Sequence, residues 1–79
     1  MAIGPAIAHL RAGDWQSAHA IVQKDESLLG NWAHGIVHVL EGDTDNARYW
    51  YRRARRAWPE HFDVPAELAA LAAAYEEKA

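Results

Sequence analysis

The stretch HGIVHVLE sets His34 and His38 four residues apart, with Glu41 three residues further on. On an α-helix those offsets bring the three side chains to one face, where two imidazoles and a carboxylate can share a divalent ion such as zinc. His19, upstream, is a fourth donor that would complete the set. The same residues also have a plainer reading, in which His34 and His38 hydrogen-bond to Glu41, Tyr51 or backbone carbonyls and satisfy a polar seam. Catalysis has little to work with. HExxH is missing and there is no cysteine. Ser17 and Ser27 stand at or near helix starts, where capping accounts for them. GDW and EGD are turns between helices, not phosphate loops. Glu41 beside His38 is the one acid and base pairing worth naming, and so short a chain has trouble enclosing a substrate pocket as a monomer. The expectation is a protein that is not an enzyme.

A second constellation is cationic. Residues 46 to 58 read NARYWYRRARRAW, and five of the eight lysines and arginines lie between Arg48 and Arg56. Continued as one helix to Trp58, this stretch puts Arg48, Arg52, Arg55 and Arg56 within about 100° of arc, opposite a stripe of Ala47, Trp50, Tyr51, Ala54 and Trp58. The arginines then face solvent, an acidic partner, or the acids of the chain's own tail, Glu67, Glu76 and Glu77. With a net charge of −3, the molecule offers nucleic acid one short stripe and few phosphate contacts, which disfavours that partner.

Positioning these residues requires a scaffold. Seventy-nine residues make one domain, residues 1–79, and a chain this short hides only about 60% of its unfolded surface. The opening MAIGPAIAHLRAGDW has no basic leader and no apolar run long enough to span a membrane, so a cytoplasmic protein is expected. No window alternates as a strand would. Helical periodicity and capping residues predict five helices: about Pro5 to Ala12; Trp15 to Lys24, capped by Asp14; one capped by Ser27 or Asn31 and ended by Gly42; one capped by Asp43 or Thr44 and ended before Pro59; and one begun by Asp63 and Pro65.

HLRAGDWQSAHAIV aligns with HVLEGDTDNARYWY at an offset of 29, pairing His9 with His38, Gly13 with Gly42, Asp14 with Asp43 and Ala18 with Ala47. The frame Gly35, Ala47, Tyr51, Ala54, Pro59 resembles the tetratricopeptide repeat (TPR) in divergent form, with the offset shorter than that family's usual 34 or so. GDWxxAH, WxHxxxH and NARYWYRRA are also similar to a family of small uncharacterised bacterial proteins. The TPR resemblance implies an all-α fold of two antiparallel helical hairpins, about 3–25 and about 27–58, with an amphipathic capping helix at about 64–78. It also implies a non-catalytic adaptor whose groove on the first and third helices binds another protein. Ile3, Ile7, Leu29, Trp32 and Ile36 would be its anchors, and Arg48, Arg52, Arg55 and Arg56 would steer an acidic partner. The last helix is the natural cover for such a groove, followed by a second copy of the chain, giving a homodimer, and then by a partner peptide. The alternative function is a metal or small-ligand binding protein centred on His34, His38 and Glu41 with His19.

Overall fold

The computed structural model describes residues 3–78. It contains five helices in the order α1 (Ile3–Arg11), α2 (Trp15–Val22), α3 (Leu28–Glu41), α4 (Thr44–Arg53) and α5 (Val64–Lys78), and no strand among the described residues. The chain is all-α. None of these helices is long and apolar enough to cross a membrane.

Local chemistry explains the boundaries. Asp14, Ser27 and Asp43 cap α2, α3 and α4, their side chains accepting from the N–H groups of Ser17, Gly30 and Asn46 at 3.0 to 3.3 Å. Asp63 does the same for Ala66 at the start of α5. The internal repeat is visible as one turn built twice. In both copies the Asp N–H donates to the carbonyl of the repeat histidine, Asp14 to His9 and Asp43 to His38, each at 2.9 Å. The intervening Gly13 and Gly42 sit at φ 77° and 91°, a backbone region closed to most side chains.

At the end of α4 the structure departs from the continuous helix expected up to Pro59. The helix stops at Arg53 because Arg55 takes a left-handed conformation, φ 60°. The Arg55 N–H then donates to the Arg52 carbonyl and the Arg56 N–H to the Tyr51 carbonyl, both at 3.0 Å. These two bonds satisfy the last carbonyls of the helix in the pattern usually built around glycine. The single arginine stripe is therefore broken, and Arg55 and Arg56 leave the face that carries Arg48 and Arg52. The turn also lets Trp58 and Phe62 fold back on Tyr51, at ring separations of 5.1 and 5.6 Å. A non-glycine residue in this region costs on the order of 1 kcal/mol. Arg55→Gly is accordingly expected to raise the unfolding free energy by about 0.5–1 kcal/mol in a urea titration; a loss instead would show that the Arg55 side chain stabilises the turn.

The core is continuous across all five helices. From α1 to α4 successive helices pack on one another, and α5 lies across both α1 and α3. The face expected as a partner groove is covered by α5, the first of the covers expected for it. Ile3, Ile7, Leu29, Trp32 and Ile36 are at most 6% exposed. They belong to the same buried cluster as Leu68 and Leu71 of α5. So small a domain cannot leave five large apolar side chains in water, and its own last helix covers them.

Candidate functional site

Three imidazoles from two helices converge between α2 and α3. His19 projects from α2, while His34 and His38 occupy successive turns of α3. Ring centroids are separated by 5.0 Å for His19 and His34, 5.5 Å for His19 and His38, and 5.0 Å for His34 and His38. One nitrogen from each can be chosen so that all three lie within 4.8 Å of one another. His34 and His38 are buried, whereas His19 is half-buried and gives the cluster an outer edge.

Each ring is held differently. The ring of His34 lies flat on Trp50 of α4, with centroids 3.8 Å apart and planes 8° from parallel. His38 Nδ1 is 2.6 Å from Glu41 Oε1, a hydrogen bond that fixes the ring and leaves Nε2 available. Neither His19 nor His34 makes a side-chain hydrogen bond among the described residues, and His34 in particular has none of the partners expected of a polar seam. Burial, then the nearby His38 and His19, push the pKa of His34 down from its ordinary value to about 4. It is a neutral ligand-type imidazole at neutral pH. Beside it lies a pocket of about 270 Å³ lined by, among others, Trp50, Asn31, Asp25 and Arg53.

Glu41 takes a different place from the one expected. Its carboxylate engages His38, and the donor group it joins includes Asp43 in place of His34. Seven residues separate Glu41 from His34, two full turns, so the carboxylate reaches only the nearer ring. The missed member of the cluster's surroundings is Trp50, which helical spacing in α4 marks as core without indicating what it packs on.

The arginines form the second feature. Arg48, Arg52, Arg53, Arg55 and Arg56 are all exposed. None makes an ion pair with a carboxylate of the described residues, where the two acid-base contacts are His9 with Asp14 and His38 with Glu41. Among the described residues, no carboxylate of the chain's own tail pairs with them. Glu67 instead accepts from Tyr51 Oη at 2.6 Å and from Trp32 Nε1 at 3.3 Å. Three guanidiniums lie over aromatic faces: Arg56 on Trp32 at 3.7 Å, Arg48 on Trp58 at 4.7 Å, and Arg53 on Trp50 at 5.3 Å. Arg53 also donates to Tyr49 Oη at 3.1 Å. Such stacking holds a charge in place without neutralising it.

Comparison of the chain with protein-family models, curated proteins and solved structures finds no match.

Proposed function

We propose that the chain is a non-catalytic protein-interaction module whose contact surface is the arginine-rich segment from Arg48 to Arg56, and whose partner is an acidic protein segment. The observation that carries this reading is the absence, among the described residues, of any ion pair to these five arginines in a molecule of net charge −3. Asp14, Asp43 and Asp63 cap helices, Glu41 holds His38, and Glu67 bonds Tyr51 and Trp32.

Aromatic support adds to the case. Guanidiniums stacked on Trp32, Trp58 and Trp50 lose less freedom on binding than free side chains, and arginine with aromatic neighbours is the composition of energetic hot spots at interfaces. Of the expected anchors, Trp32 touches this surface as the platform under Arg56, while Ile3, Ile7, Leu29 and Ile36 act as scaffold. In this reading α1 with α2 and α3 with α4 are the TPR-like hairpins and α5 the cap; the twice-built turn and the packing of successive helices support that arrangement.

The test is a direct titration. A fluorescein-labelled glutamate-rich peptide and a single-stranded oligonucleotide of equal charge are each titrated with the purified protein at low and moderate salt. The peptide is expected to bind, to weaken as salt rises, and to lose at least about tenfold affinity in the double variant Arg52→Glu, Arg55→Glu. Tighter binding of the oligonucleotide, or indifference to the double charge reversal, would sink the proposal. Sedimentation of the protein alone separates a second copy from a foreign segment as the source of the acids.

A further inference from the structure

We infer that His19, His34 and His38 form a site for one divalent ion of the zinc class, bound by three imidazole nitrogens with the remaining position left to water or an exogenous ligand. This proposal is independent of the arginine surface, since none of its three ligands belongs to that segment.

Three observations lead to it. The first is convergence. Zinc-type ions bind imidazole nitrogen at about 2.0–2.1 Å, so three nitrogens in a tetrahedral set stand roughly 3.3 Å from one another. With the donors already within 4.8 Å, closure asks each pair to approach by roughly 1.5 Å at most, a small rotation of side chains on fixed helices.

The second is orientation. His38 is held through Nδ1 by Glu41, which leaves Nε2 as the donor and raises its basicity, the usual arrangement of a metal-binding histidine and its carboxylate. His34 is held flat by Trp50. Both rings are thus fixed by neighbours on α3 and α4, and His19, with no hydrogen bond and a half-exposed position, is the ring free to swing inward and close the site.

The third is that packing alone gives no reason for the cluster. His34 is 5% exposed and its ring makes no hydrogen bond to the described residues, so its nitrogens are left to solvent at the pocket edge or to an ion. Metal coordination would satisfy the unpaired nitrogens of all three rings at once. Imidazole donors suit zinc, copper, nickel and iron rather than calcium or magnesium, which prefer oxygen. The other candidate group, His38 with Glu41 and Asp43, depends on two exposed carboxylates, and Asp43 is already engaged as the cap of α4.

The experiment uses the full chain, stripped with EDTA and dialysed, titrated with zinc in a calorimeter and with cobalt under visible absorption. Expected results are saturation at one equivalent, a rise in melting temperature with zinc, and cobalt bands of tetrahedral intensity. His19→Gln should weaken zinc binding at least about tenfold while leaving the metal-free melting temperature within a degree or two, since this side chain is only half-buried. Glu41→Gln should weaken it by about 10–100-fold through His38. Asp43→Asn, which keeps the helix cap, should bind zinc as the parent does. No saturable one-equivalent binding would overturn the proposal. So would zinc affinity that survives His19→Gln, or that is lost in Asp43→Asn alone.

Discussion

Tyr51→Ala is expected to lower the unfolding free energy by about 3–5 kcal/mol, the range for truncating a buried aromatic. For a chain of 79 residues, whose whole stability is of the order of 4–12 kcal/mol, that is about a quarter or more of the total. The size of the effect follows from how many elements meet at this ring. Tyr51 is 1% exposed and packs against Gly35, where an added Cβ would collide with Tyr51 Cδ1, so α3 and α4 approach as closely as they do because that position has no side chain. Trp58 and Phe62 pack their edges and faces on the same ring, and its hydroxyl donates to Glu67 of α5 while accepting from Trp32 Nε1 of α3 at 3.2 Å. Burial and then the Glu67 carboxylate hold the phenol protonated well above its ordinary range, so it remains a donor at every pH at which the chain is folded. Tyr51→Phe separates shape from hydrogen bonding. It should cost about 1–2 kcal/mol, because Glu67 loses its shortest donor yet keeps Trp32 Nε1. Urea titrations of the two variants read the difference. Equal losses would mean that the hydrogen bonds to α5, not the ring, hold the three helices together; a loss below about 1.5 kcal/mol for Tyr51→Ala would mean that the core closes over the gap.

The residues differ in how far their roles can be read without coordinates. Helix caps are local chemistry: Asp14 and Asp63 announce themselves by type and position, while Ser27 and Asp43 each share the reading with a second capping residue, Asn31 and Thr44. The repeated GD turn is likewise readable, since glycine before a capping aspartate has few other uses. His34 and His38 share a face because four residues make roughly one turn. Burial is harder, because an amphipathic pattern says that Ile36 and Trp32 face something without saying what, and α5 is near in space only once the whole chain is folded. The stack of His34 on Trp50 joins two helices across a packing interface that no periodicity encodes. Arg55 misleads for a different reason: residue preference argues against arginine at positive φ, and only the return of Trp58 and Phe62 to Tyr51 shows what the turn gains. Glu67 has an acid's ordinary place in the first turn of a helix, and its bonds to Tyr51 and Trp32 depend entirely on how α5 crosses α3.

Metal-free protein is expected to lose stability as the pH falls from about 6.5 to about 4, with His34 as the main source. Its folded-state pKa of about 4 lies below the ordinary 6.5 that it regains on unfolding. Between those values the unfolded chain binds the extra proton, so stability is complete above pH 6.5 and drains away toward pH 4. The full interval corresponds to a little over 3 kcal/mol, roughly, which solvent reaching the ring edge through the neighbouring pocket reduces to about 2 kcal/mol. His19 and His38 face the ring from α2 and α3 and oppose its protonation, while Trp50 covers one side. The pocket contributes Asp25 and Glu26 against Lys24 and Arg53, charges that offset one another. Urea unfolding in EDTA at pH 7.5, 5.5 and 4.5 measures the slope, and His34→Gln should flatten it. An unchanged slope in that variant would assign the acid sensitivity to other groups. With zinc present the descent should be steeper and begin higher, because each imidazole that holds the ion competes for it with a proton, and acid then removes the metal together with the stability that it adds.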